Sequence, residues 1–422
     1  MSTFALISSL VTLAALFSFV SFRVLRLPTS IGTMILSLGA SAALVIGGGY
    51  VPGLHAMAQR VVGGIDFNAV VLHGMLSLLL FAGALHLDLE QLGREKFSVT
   101  VLSVGSTAVS TGLVALFFGW ALRLMGIPIS VMGALLFGAL ISPTDPIAVL
   151  EMLQRVGASR SLSTQLAGES LFNDGVGAVI FLALLSASTG GAAPSMQGFL
   201  VMLTLKAGGG ILLGAALGYL TYRVLRHVNQ YRVEILLTLA LAMGGYALTD
   251  ALQLSAPLEV ITAGMLVSGR ARHFAMSKLS REHFEHFWEV VDDIFNVVLF
   301  LLLGLQLLVL PVEWRYVMAG LMAIPAVLAA RWLSVAVPVG VLNFFHERVP
   351  GTVAVLTWGG LRGGLAVALA LSVPHAHGLE RNLLLVATYV VVVFSILVQG
   401  LTISPLLRRL RLGSARPAHA AA

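Results

Sequence analysis

Gly168-Glu169-Ser170-Leu171-Phe172-Asn173-Asp174-Gly175-Val176-Gly177 lies inside a hydrophobic run, with apolar or small residues on both sides. An ionised side chain at bilayer mid-depth costs roughly 2.5–3.5 kcal/mol on insertion scales, so residues of this kind mark an ion or proton path. On a helix Glu169 and Asn173 share one face at i, i+4, and Ser170 and Asp174 share the adjacent one. Two stacked polar pairs suit a dehydrated cation better than they suit lipid.

The rest of the chain agrees with a membrane setting. Of 422 residues, 58% are hydrophobic and only 10% are charged. A soluble protein carries charge on about a quarter of its residues, so the composition specifies an all-α polytopic membrane protein in contact with a lipid bilayer. The formal charge of +6 comes from loop arginines and not from one basic face, which excludes nucleic acid as a partner. The absence of cysteine removes disulfides, thiol catalysis and thiolate metal ligation. Residues 4–22 lack a basic leader and read as a first span, not a removed signal peptide.

Hydrophobic runs of about 20 residues place thirteen spans near 4–22, 31–52, 67–87, 97–121, 127–153, 163–187, 198–225, 232–251, 257–270, 288–310, 314–343, 351–372 and 382–407. The basic residues orient them. With the N-terminus outside, 18 of the 25 Lys and Arg residues fall in cytoplasmic loops, among them Arg272, Arg348, Arg411 and Arg416. The external loops hold only Arg60, Arg123, Arg315 and Arg381. The positive-inside rule therefore gives an external N-terminus and a cytoplasmic C-terminus.

Two spans are interrupted. The fifth contains Ser142-Pro143-Thr144-Asp145-Pro146 and the twelfth Gly359-Gly360-Leu361-Arg362-Gly363-Gly364. Two prolines remove backbone donors, and four glycines weaken a helix where lipid demands regular bonding. Interrupted spans at corresponding places in two halves point to the binding site of an inverted-repeat transporter. Spans one to six repeating as eight to thirteen put the fifth opposite the twelfth.

Half-helix ends at mid-depth expose partial charges, and Asp145 and Arg362 have the signs to neutralise them. Asp145 also fits a plain N-cap for the helix resuming at Pro146. Backbone carbonyls near Thr144 are oxygen ligands of the kind a hard cation takes. Asp174 is the ion- and proton-binding carboxylate in this reading. Burial disfavours its charged form, so it holds a proton or a cation, but not both. Ser170, one turn earlier, lends a neutral oxygen. Glu169 is a second buried charge and needs a partner, for which Arg331 in span eleven is the natural choice. Lys206 snorkels and has no transport role. The charged segment from Arg272 and His273 through His283, Glu285, His286, Glu289, Asp292 and Asp293 reads as an interfacial helix or as a cytoplasmic pH sensor. His73 and His86 read as structural, and the loop pair His375 and His377 does not make a metal site.

The Thr144-Asp145-Pro146 break, the Glu169–Asp174 run, the in-span Arg331 and the Gly-Leu-Arg-Gly-Gly around Arg362 resemble monovalent cation/proton antiporters of the NhaP and sodium/proton exchanger type. The resemblance covers most of the chain. It implies a homodimer in the bacterial inner membrane, with no cofactor, exchanging sodium for protons. It also implies scaffold (dimerisation) helices in 1–91, core transport helices in 92–190, a linker span and further scaffold in 191–311, core again in 312–410, and a short tail in 411–422. By analogy Asp174, Asn173, Ser170 and Thr144 bind the ion, Glu169 and Arg331 form a buried pair, and Asp145 and Arg362 balance the broken helices, which cross. Asn173 in place of a second acid resembles the electroneutral branch, with one cation exchanged per proton. Some relatives carry an acid in span three, whereas here Leu80-Phe81-Ala82-Gly83-Ala84-Leu85-His86 has none before Asp88. A potassium/proton antiporter of the same architecture, an intramembrane aspartyl hydrolase using Asp145 and Asp174, and a passive channel are the rival readings.

Overall fold

With every backbone N–H and C=O in need of an internal partner, helices are the economical answer in lipid. The computed structural model describes residues 3–47, 53–157, 160–189, 195–271, 277–342, 351–374 and 378–410, and its regular elements there are helices. Ten are long and apolar enough to cross a membrane. They are α1 (Phe4–Leu25), α2 (Thr29–Gly47), α4 (Ala69–His86), α5 (Leu89–Leu124), α8 (Arg160–Ser188), α9 (Gln197–Leu225), α10 (Tyr231–Ala251), α12 (Lys278–Leu308), α13 (Trp314–Val341) and α16 (Glu380–Arg409). Shorter elements are α3 (Leu54–Gly63), α6 (Val131–Ile141), α7 (Ile147–Val156), α11 (Ala256–Gly269), α14 (Thr352–Trp358) and α15 (Gly364–Leu371). Arg272, His273, Arg348, His375, His377, Arg411 and Arg416 lie outside the described residues.

Two helices start earlier than hydropathy predicts. α5 begins at Leu89, not near 97, because the Asp88 carboxylate accepts from the N–H groups of Glu90 and Gln91. The 91/92 boundary therefore falls within a helix. α12 begins at Lys278, where Ser277 caps it, so the charged segment 278–293 is the first half of the tenth span and not a separate interfacial helix. Its apolar face is what hydropathy averaging misses: Phe284 and Trp288 are buried, with Trp288 against Phe81 at 4.8 Å between ring centroids.

Packing falls into two groups. In one, α12 lies on α2 and α4, and α11 lies on α4, α9 and α10. In the other, α5 packs on α6, α8 and α13, and α13 packs on α14 and α16. The groups meet where α11 touches α8 and where α12 and α4 touch α15. Within their most apolar stretches, α16 is 72% buried against 11% for α1 and for α9, so α16 is interior while those two turn broad apolar faces outward.

Both breaks predicted from Pro and Gly are present. α6 ends at Ile141 and the chain resumes as α7 at Ile147; α14 ends at Trp358 and resumes as α15 at Gly364. The two extended segments meet in an antiparallel bridge, Asp145 N–H donating to the Leu361 carbonyl at 2.8 Å. Gly363 permits this approach, since a Cβ there would stand 2.5 Å from Asp145 Oδ2.

Candidate ion-binding site

A broken helix at depth strands donors and acceptors that water cannot reach, so each must find a side chain. At the C-terminal end of α6 the carbonyls of Ser142 and Pro143 accept from Arg362 Nη1 at 2.6 and 2.9 Å. At the start of α7 the Ile147 N–H donates to Asp145 Oδ1 at 3.1 Å. At the end of α14 the Leu356 carbonyl accepts from Arg331 Nε and Nη2, and the Trp358 carbonyl from Gln399 Nε2. Between α14 and α15 the Arg362 N–H donates to Ser395 Oγ at 2.9 Å. Asp145 is thus a cap as well as a countercharge, and Arg362 grips carbonyl oxygens instead of a carboxylate.

The helix α8 supplies the other half of the site. Glu169 is 0% exposed and Arg331 is 2% exposed, and Nη1 of the arginine meets Oε1 of the glutamate at 2.5 Å. One turn along, Asn173 holds Thr144 from both ends of its amide: Oδ1 accepts the Thr144 N–H at 3.1 Å and Nδ2 donates to Thr144 Oγ1 at 2.8 Å. The Thr144 and Ser170 hydroxyls lie 2.8 Å apart. Asn173 is therefore engaged in fixing the break, while the two hydroxyl oxygens stand together beside it. Gly177 completes the fit, because any Cβ there would overlap Pro143 Cγ.

Asp174 differs from its neighbours. It is partly exposed, it lies within electrostatic reach of Asp145 and Arg362, and no described side chain hydrogen-bonds to it. Glu169 is committed to an arginine and Asp145 to a helix end. Asp174 is left as the acid free to exchange partners. His73 sits at the surface, 3.8 Å from Asp250, away from this cluster. Sequence reasoning missed Ser395 and Gln399. Their signal was present as an i, i+4 polar pair in the otherwise apolar Val390-Val391-Val392-Val393-Phe394-Ser395-Ile396-Leu397-Val398-Gln399.

Comparison with known proteins places the chain in a family. A family model described as "Sodium/hydrogen exchanger, transmembrane" matches residues 9–409. The Na(+)/H(+) antiporter NhaP of Pseudomonas aeruginosa is 42% identical over 416 residues, 97% of each chain. The Na(+)/H(+) antiporter NhaH of Halobacillus dabanensis is 33% identical over 398 residues, covering 92% of this chain and 93% of that one. The solved sodium proton antiporter MjNhaP1 of Methanocaldococcus jannaschii shares the fold with a TM-score of 0.76 at 19% identity, covering 98% of this chain and 100% of that one. Matched over nearly its whole length, the chain belongs to the sodium/hydrogen exchanger family, a family of transporters and not of enzymes.

Proposed function

We propose that the protein is an electroneutral sodium/proton antiporter in which one sodium ion and one proton compete for Asp174. The observation that carries this is the unequal commitment of the three acids at the crossing: Glu169 is ion-paired, Asp145 caps α7, and Asp174 has no fixed hydrogen-bond partner among the described residues. A proton on Asp174 neutralises it, and so does a monovalent cation taking the carboxylate with the Ser170 and Thr144 oxygens as neutral ligands. The two loads exclude each other at one group, as ligands that must be deprotonated to bind metal always do. Exchange follows from that competition without a second titrating acid, and Asn173 keeps the neighbouring position neutral.

The packing groups support an elevator reading in which a core of α5–α8 and α13–α16 moves against a scaffold of α1–α4 and α10–α12, with α9 as the linker. On this reading the chain crosses the membrane thirteen times as an inverted repeat, with the N-terminus outside and the C-terminus in the cytoplasm of a bacterial cell. The outward apolar faces of α1 and α9 suit lipid and a second copy in a homodimer.

The test is proton flux into proteoliposomes carrying a pH-sensitive dye, driven by pulses of sodium, potassium or lithium. Wild type should respond to sodium, with rates unchanged when the membrane potential is clamped, and Asp174→Asn should be silent while eluting as folded protein. Retained exchange in Asp174→Asn would remove the assignment, and a response to potassium alone would move the selectivity.

A further inference from the structure

The geometry points to a second, weaker site for the transported monovalent cation, formed by Asp292 and Asn296 of α12 on the approach to Asp174. It rests on the antiport reading above. Asp292, Asn296 and Leu299 are spaced i, i+4, i+7 and so form one stripe along α12. Leu299 fixes where that stripe points: it is buried, and a Cβ on Gly364 would lie 2.8 Å from its Cγ, at the first residue of α15. The stripe therefore faces the second break. Asp292 stands about 10 Å further along α12 toward its Lys278 end, and roughly 20 Å from that end, by the 1.5 Å rise per residue.

The chemistry of the stripe suits a cation. Asp292 is partly exposed, and the charges that reach it are those of Asp293 and Asp145, both acids. No described basic side chain pairs with it. The Asn296 amide stands one turn along the same stripe, within its electrostatic reach. Asn296 is only 2% exposed, yet its Oδ1 accepts no hydrogen bond among the described residues. A buried amide oxygen left unpaired is destabilising, and a cation at that oxygen removes the cost. Carboxylate and neutral carbonyl oxygens side by side are the ligands hard cations take. Helix α4 contributes no acid over Ala69–His86, so within the scaffold group it is α12 that brings a carboxylate toward the crossing. The electrostatic reach between Asp292 and Asp145 makes the two sites neighbours along one path, with the outer one filling first.

The experiment is the sodium dependence of initial proton flux in proteoliposomes for wild type, Asp292→Asn, Asp292→Glu, Asn296→Leu and Asp174→Asn. Asp292→Asn should raise KM for sodium about tenfold, the loss expected when the charged oxygen ligand of a hard cation becomes a neutral one. Saturating rates should stay within about twofold, the signature of lost binding and not of lost turnover. Asp292→Glu should restore most of the affinity, and Asn296→Leu should shift KM in the same direction as Asp292→Asn. A KM within about twofold of wild type in Asp292→Asn, or a loss confined to the maximal rate, overturns the site. Should Asp292→Asn not fold, Asn296→Leu carries the same decision. Exchange surviving in Asp174→Asn would instead defeat the antiport reading, whatever Asp292→Asn does.

Discussion

Replacing Glu169 by Leu or Arg331 by Met breaks the one fully buried ion pair among the described residues, and the structure fixes how the costs divide. Both partners are inaccessible and meet through a single Nη1–Oε1 contact, so removing either strands an opposite charge. Breaking a buried pair from one side costs about 3–5 kcal/mol. Arg331 has a second duty, donating through Nε and Nη2 to the Leu356 carbonyl at the end of α14. Orphaning that carbonyl adds about 1–3 kcal/mol, so Arg331→Met should be the worse single. The double variant removes both charges and keeps only the carbonyl penalty, because apolar replacement of a whole buried pair is often near neutral. The coupling energy in a double-mutant cycle should therefore be about 6–10 kcal/mol, the cost of both stranded charges, since each single variant strands one and the double strands neither. Equilibrium unfolding in mixed dodecylmaltoside–SDS micelles, followed by tryptophan fluorescence, measures all four corners. Single effects that sum to the double within about 0.5 kcal/mol would show the pair to be energetically idle and refute the clamp.

Three further outcomes follow from the crossing. Ser395→Ala leaves the Arg362 N–H without its acceptor, and should cost about 1–3 kcal/mol of stability in the same unfolding assay, while Ser395→Thr, which keeps the hydroxyl, should cost less. Gly177→Ala drives a methyl into Pro143 and should cost about 1–3 kcal/mol by overpacking, with flux falling as α8 is pushed from the break; unchanged flux and stability would mean the break yields freely. Competition at Asp174 requires the apparent KM for sodium to rise on acidification, by up to about tenfold per pH unit once the site titrates, since each unit is worth about 1.4 kcal/mol of proton binding. A KM independent of pH across the active range would separate the proton from the cation site.

Much of this architecture was legible because lipid leaves few alternatives. The two breaks announced themselves through Pro143, Pro146 and four glycines, residues whose backbone limits hold in any context. The Glu169–Arg331 pairing was legible because a buried arginine and a buried glutamate each demand an opposite charge. What the sequence hid were contacts that need no unusual residue. Ser395 and Gln399 look like ordinary small polar interruptions until the unpaired groups of the break are placed beside them. Asn173 was legible as polar and central, but its double hold on Thr144 depends on how α8 rotates against the fifth span, which helical periodicity alone does not specify. Asp292 was hidden by averaging: charges along the first half of α12 lower its hydropathy, so that half read as surface.

On the proposed mechanism, the charges around the crossing give a reason why one acid suffices. Asp145, Glu169 and Asp174 oppose Arg331 and Arg362, so with all five ionised the core carries one net negative charge. One proton cancels it, and so does one sodium ion. Both loaded states are then neutral, and only the empty core is charged. Carrying that uncompensated charge through the apolar interior costs at least roughly 2.5–3.5 kcal/mol, enough to slow an empty return about a hundredfold. On that mechanism electrostatics enforces the coupling, without a separate gate that senses occupancy. Asn173 is the residue on which this depends: an ionised acid there would leave a second negative charge that neither a single proton nor a single sodium ion removes, and the one-for-one exchange would lose its neutral states. On the elevator reading Asp292 does not disturb the count, because it lies on α12, which packs on α2 and α4 and meets the other packing group at α15. On the elevator reading, a carboxylate that draws cations toward the crossing belongs on the scaffold, where its charge adds nothing to the cost of moving the core.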